Sequence, residues 1–263
     1  MVSCLWGVYF LLVFLGVVVK SFVVLWVVME VGLYVLVSLM FLESEKVSSV
    51  VLYYVVQTVG SGLMILGYMS STCILDLGVS LKVGLFPFLY WVLVVVKELV
   101  AKVFIFVILG IQKLVPLIFI LKFIHEFIIM DLILVVSSVV GVLFLVGFTD
   151  FFSVVSSSSI IHSSWLVVMV TSFPGLMWLY FIIYCFILLI LIKVTKHWSF
   201  VVFSVFSSIP PMLGFYLKWV MFSDYVGSMW GVLGLMFLVS ALSVLGYTFR
   251  FMALALTRVG EIV

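Results

Sequence analysis

The sequence predicts an all-α membrane protein: about ten transmembrane helices in two inverted five-helix repeats, discontinuous near Pro87 and near Pro210/Pro211. Three observations predict it. The 263 residues are 68% hydrophobic and only 8% charged, and the mean hydropathy is +1.57. A water-soluble core needs a polar shell, and there is too little polar sequence to build one. The apolar runs show no strand-like alternation, so helices rather than a barrel satisfy the backbone in lipid. Finally, prolines interrupt the runs at two places five spans apart.

A span needs about 20 apolar residues. Charges and Gly/Pro breaks place spans near 3–19, 22–42, 48–71, 77–96, 101–121, 131–149, 153–172, 175–193, 199–222 and 227–250. Residues 151–192 carry no Asp, Glu, Lys or Arg, which is too long for one helix. Pro174-Gly175 is the natural turn within them. The chain reads as a single polytopic domain, with repeat halves at approximately 1–125 and 126–263. Lys46, Lys97, Lys102, Lys193, Lys196, Arg250 and Arg258 follow even-numbered spans, whereas Lys20 and Lys122 follow odd-numbered ones. That asymmetry puts both termini on the inner face. Five is odd, so a second five-helix copy is necessarily inverted.

Several function classes drop out. The net charge of +2 comes with no basic patch interleaved with aromatics, so no nucleic-acid partner is expected. Cys4, Cys73 and Cys185 have neither disulfide nor metal-ligand spacing and read as apolar thiols. No phosphate loop, haem-ligand pair or nucleophile constellation appears, and no cofactor or metal site is expected. Loop carboxylates, Glu45 and Glu98 among them, read as interfacial; His125 and His197 do too. Asp76 reads as a helix cap.

Four charges remain inside spans: Glu30, Lys82, Lys113 and Lys218. Each costs roughly 2.5–3.5 kcal/mol at a helix centre, about 10–14 kcal/mol in all. Each lysine lies near a proline (Pro87, Pro116, Pro210-Pro211). Proline frees a carbonyl and bends the helix, and such a break is tolerated only where protein or water covers it. A lysine there can bond the freed carbonyls or pass its proton to water, as in ion sites built on discontinuous helices. A Glu30–Lys82 pair would act as a switch: paired, both stay charged; apart, the lysine releases its proton. Against this stands a structural reading in which a lysine only hydrogen-bonds or snorkels. Lys218, nearest a span end, suits snorkelling best. His162 reads either as a possible proton relay or as a buried histidine bonded to a neighbouring serine. Ser156 to Ser159, Ser163 and Ser164 read mostly as small residues for close helix packing.

These residues fall into blocks. Lys82-Val-Gly-Leu-Phe-Pro87-Phe88-Leu89-Tyr90-Trp91 resembles a Lys-x-Gly-x-x-Pro-Phe-His-Phe-Trp block. Gln112-Lys113-Leu-Val-Pro116 resembles Gln-Lys-Leu-Ala-Pro. Ser158-Ser159-Ile-Ile-His162 with Trp165 resembles Ser-Ser-Ile-x-His-x-x-Trp. Pro210-Pro211-Met-Leu-Gly214-Phe215-Tyr-Leu-Lys218-Trp219 resembles Pro-Pro-x-x-Gly-Phe-x-x-Lys-Trp. Glu30 takes the place of an intramembrane glutamate. In this order the blocks resemble chain 2 of NADH–ubiquinone oxidoreductase, an antiporter-like subunit of the membrane arm of respiratory complex I.

The resemblance implies that Glu30, Lys82, Lys113 and Lys218 form a mid-membrane proton-transfer axis. It implies inverted five-helix repeats, a mitochondrial inner-membrane location with termini in the matrix, and other membrane-arm subunits and lipids as partners. FMN, iron–sulfur clusters, nicotinamide and ubiquinone are implied elsewhere in the complex, with none bound by this chain. Departures are visible: Leu89 replaces a histidine, Phe152-Ser153 a basic pair, and Leu93-Val94 a Pro-Glu. The chain also looks short by three N-terminal helices and one C-terminal helix. Two other readings fit the same charges: a stand-alone cation/proton antiporter, and a degenerate scaffold subunit of the same complex.

Overall fold

The computed structural model describes residues 1–123, 128–148, 150–193, 213–224 and 230–260. Among them every regular element is a helix. The N-terminal part contains α1 (Val2–Val18), α2 (Phe22–Leu42), α3 (Val47–Ser70), α4 (Thr72–Val83), α5 (Tyr90–Glu98), α6 (Lys102–Leu109) and α7 (Leu114–Phe123). Then come α8 (Ile128–Gly147), α9 (Phe151–Ser172), α10 (Pro174–Lys193), α11 (Leu213–Asp224) and α12 (Trp230–Gly260). Six helices among the described residues are long and apolar enough to cross a membrane: Phe22–Leu42, Val47–Ser70, Lys102–Phe123, Met130–Gly147, Phe151–Ser172 and Pro174–Lys193. His125, His197 and Pro210-Pro211 lie outside the described residues.

Met1–Ile133 and Leu134–Val263 form two compact units. In the first, glycine sets the spacing of α3 and α4. A Cβ on Gly78 would come within 3.0 Å of the Gly60 carbonyl, and one on Gly67 would strike the backbone of Leu75. These small residues let two apolar helices pack backbone to backbone, as membrane interfaces require. Only Ser71, in extended conformation, separates the two helices.

The span expected at 77–96 is broken. Helix α4 ends at Gly84, whose φ of +81° is a left-handed conformation that suits glycine. The Gly84 and Leu85 N–H groups donate to the Ser80 carbonyl at 2.9 and 2.8 Å. The Phe86–Pro87 bond is cis, and the chain resumes as α5. Breaks were expected near Pro87 and Pro210/Pro211 but not in the span at 101–121, which is also interrupted. Gly110 ends α6, and Ile111–Lys113 forms a 3₁₀ turn before α7. Pro116 fits there because the first turn of a helix needs no N–H from it.

Two charged side chains tie this unit together. The Glu45 carboxylate accepts hydrogen bonds from the N–H groups of Val100 (2.7 Å) and Ala101 (2.6 Å), at the start of α6. Lys122 Nζ donates to the Val17 carbonyl at 2.9 Å, and also to that of Val19, at the end of α1. Each charge complements a helix terminus.

In the second unit, α9 is buried from Ser153 to Val170. A Cβ on Gly141 of α8 would come within 2.8 Å of Ile161 on α9, so those helices also pack closely. The turn between α9 and α10 is Phe173 alone. Pro174 opens α10 as its first residue, so the expected Pro174-Gly175 turn shifts by one position.

Candidate functional site

Helix α2 carries Glu30 and the last turn of α4 carries Lys82. The structure joins them: Lys82 Nζ donates to Glu30 Oε1 at 3.0 Å. The lysine side chain is 3% exposed and the glutamate 12%, so the pair is nearly stripped of solvent. Such a pair gains its mutual attraction in a low dielectric, and losing either partner strands the other charge.

The carbonyls freed at the end of α4 have found other donors. Trp91 Nε1 donates to Leu81 O at 3.1 Å, and Gln57 Nε2 donates to Lys82 O at 3.3 Å. From sequence, a lysine beside the break could bond these carbonyls or pass its proton to water. Here a tryptophan and a glutamine take the carbonyls, leaving Lys82 directed to Glu30. Gly60 on α3 allows this, since a Cβ there would meet Lys82 Cγ at 2.9 Å.

Beside the pair lies a small cavity. About 20 Å³ of it is open to the centre of a water molecule, and its polar walls are Tyr9, Gln57, Lys82 and Gln112. That is space enough for a water with several partners. Gln112 belongs to the 3₁₀ turn that ends at Lys113, and Pro116 also lines the cavity. Lys113 is buried, at 3% exposure. The two broken helices thus border one space large enough for a water molecule.

In the second unit Lys218 lies within α11 and is 1% exposed. It does not snorkel. Its Nζ sits 5.2 Å from the centroid of the Trp165 ring, a geometry in which the aromatic face attracts the ammonium. His162 Nδ1 shares a 2.6 Å hydrogen bond with the Tyr180 hydroxyl. The α9 serines are mostly satisfied by their own helix: Ser156 and Ser157 donate to Ser153 O, and Ser163 to Ser159 O. Ser159 departs from that pattern by bonding Tyr184 at 2.8 Å.

Several residues were misjudged from sequence. Asp76 is no cap, because α4 begins at Thr72 and Asp76 lies inside it, 2% exposed. Its Oδ1 has no hydrogen-bond partner among the described residues. Glu45, read as interfacial, is 4% exposed and caps α6. Tyr9 went unnoticed, because a tyrosine in an apolar helix carries no signal until its hydroxyl has a partner. Gln112 was visible only as the residue before Lys113. Among the described residues no group of three or more His, Cys, Asp or Glu could hold a metal ion.

No family model matches the chain. It is similar to NADH-ubiquinone oxidoreductase chain 2 of Artemia franciscana, 27% identical over 223 residues, covering 76% of this chain and 72% of that protein. Among solved structures, a chain of respiratory complex I from Thermus thermophilus with bound aureothin superposes with a TM-score of 0.79 at 18% identity. The match covers 92% of this chain and 68% of that one. A chain of the membrane-bound sulfane sulfur reductase, an archaeal respiratory membrane complex, gives 0.65 at 16% identity, covering 88% and 50%. These two likenesses speak to fold. With the curated relative they bear out the resemblance carried by the sequence blocks: the chain is similar to NADH–ubiquinone oxidoreductase chain 2 and has the fold of a complex I membrane subunit.

Proposed function

We propose that this chain is a proton-translocating membrane-arm subunit of NADH:ubiquinone oxidoreductase, passing protons by way of Glu30, Lys82, Lys113 and Lys218. The observation that carries the reading is the Glu30–Lys82 ion pair, 3.0 Å long and nearly solvent-free beside a water-sized cavity. A structural helix pair would gain stability by replacing both charges with apolar groups. The family likeness supports the same reading.

In this mechanism the closed pair holds Lys82 protonated. Opening it leaves a desolvated ammonium facing water, and the proton leaves for that water and the next base. His162, bonded to Tyr180, serves as a relay in the second unit. Redox chemistry belongs to other subunits of the complex, which hold FMN, iron–sulfur clusters and the ubiquinone site, and this chain binds none of them. It lies among other membrane-arm subunits and lipids in the mitochondrial inner membrane, with both termini facing the matrix. About ten spans in two inverted repeats complete the architecture.

Proton translocation per electron in the assembled complex tests the reading. Glu30→Gln and Lys113→Ala are each expected to lower the ratio while the complex still assembles. A parental ratio in both variants overturns it. Translocation by the purified chain alone in vesicles would instead favour a stand-alone antiporter.

A further inference from the structure

Tyr9 on α1 lines the cavity beside Lys82; it is 1% exposed, and its hydroxyl donates to Gln112 Oε1, another wall of the cavity, at 2.6 Å across 103 residues of sequence. Burying a phenol in an apolar helix is costly unless its hydroxyl is satisfied. The 3₁₀ turn Ile111–Lys113 supplies the acceptor.

We propose that Tyr9 and Gln112 are positioning residues for a proton-carrying water between Lys82 and the turn that ends at Lys113. A 3₁₀ turn is short and poorly hydrogen-bonded, so it needs an outside anchor to keep one geometry. Tyr9 is that anchor. It holds the Gln112 carboxamide by its oxygen, which leaves the Nε2 donors as the amide's remaining polar group at the cavity wall. Gln57 holds the opposite side, donating to the Lys82 carbonyl at 3.3 Å. Helix α1 therefore sets the position of a water it does not itself exchange protons with. The inference rests on the proton-transfer reading above and adds residues outside its four charges.

The test uses the intact complex carrying Tyr9→Phe or Gln112→Met, each close in shape to the parent residue. Tyr34→Phe on α2, where the tyrosine is 54% exposed, is the control for loss of a phenol elsewhere. Assembly is read on native gels, and proton translocation in H₂O and D₂O. Both site variants are expected to assemble, to transfer protons about fivefold more slowly, as loss of one hydrogen bond near 1 kcal/mol implies, and to show a larger solvent isotope effect than the parent. The isotope effect is the readout that a purely structural role would not move. Parental rate and isotope effect in both variants overturn the proposal. Failure of both to assemble also overturns it, by assigning the bond to folding, as does an equal loss in Tyr34→Phe. If Lys113→Ala and Glu30→Gln lower translocation while Tyr9→Phe and Gln112→Met do not, the proton-transfer reading stands and this inference alone fails.

Discussion

A carboxylate and an ammonium 3.0 Å apart in a nearly water-free setting depend on one another. Removing one partner of such a pair costs about 3–5 kcal/mol, because the survivor is left charged and desolvated. Replacing both with neutral or apolar groups of similar shape costs far less. Lys82→Met is therefore expected to lower the melting midpoint of the purified complex, and Lys82→Met with Glu30→Gln to regain most of the loss. Proton translocation should stay impaired in both. A double variant no more stable than the single one would show that the two side chains are not energetically coupled. Lys82 reached this setting because Trp91 and Gln57 satisfy the carbonyls at the break. Nothing local in the sequence announces those donors, since they arrive from α5 and α3.

Helix packing here depends on glycine at particular contacts rather than on glycine in general. On α3, a Cβ at Gly67 would strike the Leu75 backbone, whereas one at Gly62 would meet nothing within 4 Å. Gly67→Ala forces α3 and α4 apart, and overpacking of this kind costs about 1–3 kcal/mol. Gly62→Ala should be neutral or slightly stabilising, because alanine favours helix. The amount of assembled complex in membranes separates the two, and equal amounts would contradict the close contact. The breaks follow the same logic. The interruption at Gly84 was legible from Pro87, but that at Gly110 was not, because Pro116 sits inside the first turn of α7, where helices accept proline. The turn shows only when Gly110 and Ile111–Lys113 are seen between two helices.

At the scale of the whole molecule, large apolar side chains such as Phe10, Leu11, Phe14, Leu66, Ile182 and Phe186 are at least half exposed. Such surface belongs against lipid or neighbouring subunits. The distribution of basic residues predicts which ends face inward. On that prediction the start of α1, with Cys4, faces inward and the start of α4, with Cys73, faces outward; both cysteines are exposed. A membrane-impermeant maleimide added outside is expected to label Cys73 and to reach Cys4 only after permeabilisation. The reverse pattern would invert the orientation.

The sequence by itself determined that the chain is helical and lies in a membrane, and that its intramembrane charges and prolines coincide. Length, hydropathy and cost of burial are local quantities, so they can be read along the chain. Which groups satisfy one another was decided only by tertiary structure. The joining of Glu30 to Lys82, the anchoring of the Lys113 turn by Tyr9, the capping of α6 by Glu45 and the burial of Asp76 all depend on which helices become neighbours. Hydrogen bonds and ion pairs act over about 3 Å, whereas these partners lie tens of residues apart in sequence.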